Sequence, residues 1–142
     1  MGGNERERGE RSRRRDGEKR LVLEKSGKEK MKRYCQTLEL RNDPELIAGY
    51  IREHQRVWLE IKAGIRQVGI LDMQIYMLEN KLFMIVDTTD EFDWEKDNDT
   101  LARLPRQKAW EDYMDRFQQT DTGAPSHKKW KRMKRIFGLN PE

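Results

Sequence analysis

The sequence is poor in the residues that build covalent or metal-based frameworks. It has one cysteine, Cys35, and two histidines, His54 and His127. An intramolecular disulfide and a multi-cysteine zinc site are therefore excluded, and a single cysteine suits a reducing compartment. The sequence contains no P-loop, GxGxxG or HExxH motif, so nucleotide binding and metalloprotease chemistry have no support.

Long apolar segments are also missing. No run of about 18 apolar residues is present, which is the length that a membrane span needs. The N-terminus, MGGNERERGERSRRR, has no apolar stretch behind its charges, and a secretory signal is not predicted. We therefore expect a cytoplasmic protein without a membrane partner.

Charge is abundant but unevenly placed. Residues 1–33 hold 13 Lys and Arg against 7 Asp and Glu, whereas residues 34–142 hold 17 against 19. The basic character thus belongs to the N-terminus, which has too little apolar surface to form a core. We expect residues 1–31 to be a disordered basic extension and residues 32–142 to be the folded domain. Since the domain itself is slightly acidic, nucleic acid is not an expected partner.

The spacing of apolar residues predicts a mixed α+β domain. Alternating residues predict strands and a period of 3.6 predicts helices. The predicted elements are a strand at 33–41, a helix at 44–68, strands at 70–78 and 82–88, a short irregular helix at 90–101, a helix at 105–119 and a strand at 132–139. The principal order is β-α-β-β-α-β, as in ferredoxin-like folds. Such a sheet has helices on one face only, so we expect a homodimer that pairs two sheets.

The first predicted helix places a histidine among aromatic residues. Tyr50, His54 and Trp58 are four residues apart and so share one side of a helix. An imidazole in an aromatic pocket can serve as acid and base near neutral pH, but a buried histidine can also serve packing alone. Tyr76 and Trp110 add further aromatic faces, which suit either a sugar ring or a plain hydrophobic core.

A dense acidic run lies between Asp87 and Asp99. Runs of this kind are usually solvated loops or helix faces. We therefore predict neither a metal site nor a cofactor from it.

Four separated segments together resemble the L-rhamnose mutarotases. They are Tyr50-x-x-x-His54-x-x-x-Trp58 after an N-terminal strand, IYMLENKLFMIVD at 75–87, KAWEDYM at 108–114, and the closing basic and aromatic strand. The resemblance covers residues 32–140 approximately. It implies a dimeric ferredoxin-like protein, a dimeric α/β barrel, that interconverts the α and β anomers of L-rhamnose without a cofactor.

The resemblance also implies the site residues. His54 matches the catalytic histidine of the family, and Tyr50 matches its substrate-contacting tyrosine one turn earlier. A sugar-contacting tyrosine of bacterial members falls on Met73, and a Trp-Trp pair becomes Trp110-Glu111. The implied substrate-binding residues are Tyr50, Met73, Tyr76, Trp110 and Glu111.

The expected function is therefore a sugar mutarotase, an isomerase that acts on L-rhamnose or a related deoxyhexose by proton transfer through His54. Two alternatives of other classes stay open. One is a non-catalytic dimeric module that binds a ligand or regulates, and the other is a haem-degrading oxygenase of similar fold.

Overall fold

The structure is a computed structural model that describes residues 30–120 and 123–140. Within those ranges, four strands and five helices follow one another. They are β1 (Met31–Glu39), α1 (Pro44–His54), α2 (Leu59–Gln67), β2 (Ile70–Leu78), β3 (Lys81–Thr89), α3 (Trp94–Ala102), α4 (Gln107–Met114), α5 (Ser126–Lys129) and β4 (Lys131–Met133). Residues 1–29 of the predicted basic extension lie outside the described part of the chain.

The strands form one sheet in the order β2-β3-β1-β4. β2 and β3 are antiparallel from the Ile70/Thr88 pair to the Leu78/Lys81 pair. β1 and β4 are also antiparallel, with Cys35 opposite Met133. Since β3 lies between β1 and β2, the connection through the first helices is a split βαβ unit. The predicted ferredoxin-like α+β fold is confirmed.

The hydrophobic core lies between the sheet and the helices. In β3, Leu82, Met84 and Val86 are buried, whereas Phe83 and Ile85 point to the opposite face and are only half-buried. Side chains in a strand alternate between faces. Burial of each large apolar side chain contributes about 1.5–3 kcal/mol. The helices therefore stabilise one face of the sheet, and the other face keeps apolar groups accessible.

The start of α1 agrees with its sequence. The Asp43 side chain accepts hydrogen bonds from the backbone N–H groups of Glu45 and Leu46. Pro44 occupies the first turn, where the missing N–H costs nothing. This cap places the helix that carries His54 directly after β1.

The prediction of one helix over 44–68 is wrong. α1 ends at His54 and α2 begins at Leu59, and Trp58 between them has an extended conformation with ψ 141°. Its indole ring packs at 5.1 Å from the ring of Trp110, and the Arg106 guanidinium lies 4.3 Å from its centroid. These contacts with the start of α4 override a local helical pattern, because aromatic and β-branched residues have only modest helix propensity.

Several other predicted boundaries are also wrong. α3 begins at Trp94 because Asp93 caps it, and α4 covers only the middle of the predicted helix. The last strand ends at Met133, and residues 134–140 have no regular secondary structure. The short helix α5 was not predicted. Within the described residues, no helix has the length and apolarity that a membrane crossing requires.

Candidate active site

A cavity of about 120 Å³ lies between the sheet and the helices. This volume is well above the roughly 10–15 Å³ that a cavity needs to hold a single water, so the cavity can admit a small molecule. The polar side chains in its wall carry amide, hydroxyl and imidazole groups: Gln36, Tyr50, His54, Asn98, Gln107, Gln118, Ser126 and His127. Among the described residues, no Asp, Glu, Lys or Arg lines it. The cavity suits a small uncharged molecule with several hydroxyl groups.

His54 is held in the wall by its own helix. Its Nδ1 atom lies 2.9 Å from the backbone carbonyl oxygen of Tyr50. A carbonyl can only accept, so Nδ1 carries the hydrogen and donates it. In the neutral imidazole the lone pair is therefore on Nε2. The His54 imidazole therefore has a defined tautomer and a defined ring orientation.

The surroundings of His54 keep it neutral. Burial lowers the pKa of the imidazole below its ordinary value of 6.5, and this effect exceeds the opposing effects of the Tyr50 hydrogen bond and the Glu53 charge. Desolvation penalises the charged form of a histidine. At neutral pH the Nε2 lone pair is therefore available to accept a proton.

Aromatic rings surround the imidazole. The Tyr50 ring lies 4.1 Å and the Trp110 ring 5.5 Å from the His54 ring, centroid to centroid. Trp58 stacks against Tyr113 at 6.3 Å. Tyr50 and His54 are thus in contact, as the helical spacing predicted, whereas Trp58 lies beyond the interruption of the helix and contacts Trp110 and Tyr113.

A series of hydrogen-bonded polar side chains leads from Lys129 through Gln118 to Tyr50. Tyr50 is buried, and burial raises the pKa of its hydroxyl although a hydrogen bond with the Gln118 side chain opposes the effect. Gln118 Oε1 accepts from Lys129 Nζ at 3.1 Å. Lys129 Nζ also lies 2.7 Å from Asp115 Oδ1 and donates to the backbone oxygen of Glu111 at 3.0 Å. The Tyr50 hydroxyl therefore stays protonated and well positioned.

Of the remaining predicted site residues, two line the cavity and two do not. Met73 and Trp110 line the cavity. Glu111 is buried and accepts a hydrogen bond of 2.8 Å from Gln107, which itself lines the cavity. Tyr76 is 56% exposed, and its hydroxyl donates to Gln74 rather than reaching the cavity. Strand alternation explains this, because Met73 and Ile75 face the helices.

Sequence reasoning missed several polar residues of the wall. They are Gln36, Asn98, Gln107, Gln118, Ser126 and His127. Most are amides or hydroxyls in otherwise ordinary strands, helices and loops, and such side chains are usually exposed. His127 follows Pro125 and Ser126, and nothing in these neighbours along the chain indicates burial.

Comparison with known proteins gives consistent results. The family model described as rhaM, L-rhamnose mutarotase, matches residues 33–139. The L-fucose mutarotase of Xanthomonas campestris is 36% identical over 112 residues, which are 78% of this chain and 90% of the relative. The L-rhamnose mutarotase of Enterococcus faecalis is 28% identical over 80 residues, which are 55% of this chain and 74% of the relative.

A solved structure has the same fold. The crystal structure of an L-rhamnose mutarotase from Formosa agariphila aligns with a TM-score of 0.59 and covers 77% of this chain and 99% of its own. The two sequences are 19% identical. The likeness supports the ferredoxin-like architecture independently of the sequence pattern.

Proposed function

The chain belongs to the L-rhamnose mutarotase family, and on that premise we propose that it interconverts the α and β anomers of a 6-deoxy-L-hexose, L-rhamnose or L-fucose. Family membership makes the protein an isomerase of sugar anomers and favours this function over a binding module or a haem-degrading oxygenase. The observation that carries the proposal is the His54 imidazole, which is neutral and fixed by the Tyr50 carbonyl at the wall of an uncharged cavity.

The composition of the wall supports a neutral deoxysugar. A phosphate or a carboxylate would have to give up its hydration without a cationic partner in the wall, and an unpaired buried charge costs several kcal/mol. Val57, Ile61 and Ile65 contribute apolar surface, which can accept the methyl group at C6. The aromatic faces of Tyr50 and Trp110 suit the C–H groups of a pyranose.

The proposed reaction is a proton transfer coupled to ring opening. His54 Nε2 accepts the proton of the anomeric hydroxyl, the bond between C1 and the ring oxygen breaks, and the ring oxygen gains a proton from the imidazolium, with the Tyr50 hydroxyl as the relay. The open-chain aldehyde rotates about C1–C2, and the reverse steps close the ring on the other face. No atom is oxidised and the proton count is unchanged. General acid–base catalysis of this kind contributes about 10²–10⁴-fold.

Exchange spectroscopy tests the proposal directly. Saturation of one anomeric proton signal in equilibrated L-rhamnose or L-fucose reduces the signal of the other anomer in proportion to the exchange rate. We expect the full-length protein to accelerate exchange for at least one of these sugars and to leave a hexose 6-phosphate unaffected. Absence of acceleration for both deoxysugars would contradict the proposal.

We also propose that the protein works as a cytoplasmic homodimer. Phe83 and Ile85 are half-buried on the sheet face opposite the helices, and Ile136, Phe137 and Leu139 are exposed after β4. Apolar groups of this number on a small domain favour association. The free thiol of Cys35 is compatible with a reducing compartment.

A further inference from the structure

A second cluster of chemistry-bearing side chains lies where α3 meets α5. Glu95 and Asp99 are one turn apart on α3, and His127 comes from α5. Each of the three offers a ligand atom, and these atoms all lie within 4.8 Å of one another. Nitrogen and oxygen donors from two separate elements thus converge on one point.

His127 is the informative member of the cluster. Its side chain is only 3% exposed, and within the described residues its Nε2 atom is buried without a hydrogen-bond partner. An unsatisfied buried polar atom costs about 1–3 kcal/mol. The same atom is directed at the carboxylates, at 3.3 Å from Asp99 Oδ1 and 3.7 Å from Glu95 Oε1.

The separation between His127 Nε2 and Asp99 Oδ1 lies in the range that a shared metal ion gives two of its ligands. Zinc binds histidine nitrogen and carboxylate oxygen at about 2.0–2.2 Å, so two ligands of a tetrahedral ion lie roughly 3.3–3.5 Å apart. A charge-assisted N–H···O bond is shorter, at about 2.7–2.9 Å. The 3.3 Å distance to Asp99 therefore fits ligand-to-ligand spacing better than direct hydrogen bonding, and the 3.7 Å distance to Glu95 is slightly longer than either.

We propose that Glu95, Asp99 and His127 bind a divalent transition-metal cation, with Zn²⁺ as the ion that the donor set suits. One imidazole and two carboxylates match the nitrogen and oxygen ligands that zinc accepts, and three protein ligands leave a position for water. Glu95 and Asp99 are exposed, which gives the ion access from solvent. The bound ion would tie α3 to α5 and fix the wall that His127 contributes to the cavity.

One cation already competes for the cluster. Lys128 Nζ lies 3.3 Å from Glu95 Oε1. Its ammonium repels an incoming divalent ion and must move away from the carboxylate when the ion binds. Replacing Lys128 by methionine keeps most of the side-chain volume and removes this charge, so the Lys128→Met variant should bind the ion more tightly.

Titration calorimetry of the full-length chain with zinc chloride tests the proposal. We expect one ion per chain with a Kd on the order of 1 µM. Asp99→Asn and His127→Leu should each weaken binding by at least about tenfold, since even the loss of an outer-shell partner has this effect. Glu91→Gln is the matched control, because Glu91 belongs to the same acidic run but not to the cluster. It should leave the Kd unchanged.

Thermal unfolding provides a second readout. Zinc should raise the Tm of the wild type and of Glu91→Gln but not that of Asp99→Asn, whose exposed position makes it tolerant of substitution. Binding that occurs only at millimolar zinc, or that is unchanged in His127→Leu and Asp99→Asn, would overturn the proposal. The two proposals have separate readouts. Anomer exchange measured without zinc tests the mutarotase proposal, and zinc binding tests the metal-site proposal.

Discussion

The Nζ atom of Lys129 donates to the Oε1 atom of Gln118 at 3.1 Å, and this contact determines what Gln118 can offer to Tyr50. The Lys129 side chain is 1% exposed and its ammonium is 2.7 Å from Asp115 Oδ1. Because the amide oxygen of Gln118 is occupied, its NH₂ group is the one that faces the Tyr50 hydroxyl. Lys129 of α5 thus orients Gln118, and through it Tyr50 in the cavity wall.

Replacing one member of the Lys129–Asp115 pair should destabilise the fold strongly. Asp115→Asn leaves the Lys129 ammonium buried without its counter-ion, and we expect a loss of about 3–5 kcal/mol in the free energy of unfolding. Urea unfolding measures this. The double variant Asp115→Asn with Lys129→Met removes both charges and should cost less than the sum of the single changes. A single-variant cost below about 1 kcal/mol would show that the pair is solvated.

His54→Asn should separate catalysis from packing. Asparagine keeps an amide donor near the Tyr50 carbonyl but cannot accept and return a proton at neutral pH. We expect a folded protein whose acceleration of anomer exchange falls by at least about 10²-fold. Exchange NMR and circular dichroism on the same sample measure both properties. Full activity in a folded variant would assign the base to another residue.

Tyr76→Phe tests the exposed member of the predicted sugar-binding set. Its hydroxyl contacts Gln74 on the face of β2 away from the cavity. We expect the anomer exchange rate and the sugar concentration for half saturation to be unchanged. Tyr50→Phe is the comparison, because it removes a hydroxyl inside the cavity and should lower the exchange rate. A loss of activity in Tyr76→Phe would place this tyrosine in the site, for example across a dimer interface.

The pH dependence follows from the lowered pKa of His54. The neutral imidazole should predominate at pH 6.5, so kcat/KM should fall to half of its maximum only at a pH below that value. In the unfolded chain His54 binds its proton at the ordinary value of 6.5. The folded state should therefore lose stability as the pH falls from 6.5 towards the lowered pKa. The stability loss should be absent in His54→Asn, and a half-maximal kcat/KM at a pH above 7 would contradict the assignment.

The proposed dimer predicts a particle of twice 17.1 kDa in light scattering at micromolar concentration. Ile85→Lys places a charge on the half-buried sheet face and should shift the protein towards the monomer. Leu59→Lys makes the same kind of change at an exposed position of α2 and should leave the dimer intact. A wild-type monomer would contradict the proposed pairing of sheets.

The local pattern of the sequence was sufficient for the principal β-α-β-β-α-β order, although not for the break between α1 and α2 or for α5. The alternation in β1 and β3, the Asp43-Pro44 start of α1 and the glycine after α2 act over a few residues, so they are visible without any partner. The spacing of Tyr50 and His54 likewise determined that they share a helix face. The family resemblance added their roles as expectations.

Contacts between residues that are distant in sequence decided where the first predicted helix is interrupted and which polar side chains are buried. The chain interrupts the helix before Trp58 because that ring packs on Trp110, which is 52 positions further along the sequence. Lys129 and His127 belong to a run that looks like a solvated surface, yet the packing of α5 against α3 and α4 buries both. Whether a charged side chain is buried depends on partners that are distant in sequence, such as Asp115 and Gln118. The sequence by itself therefore determined that His54 would lie beside Tyr50 on one helix face, and only the tertiary structure decided which polar groups line the cavity beside it, because those groups come from distant parts of the chain.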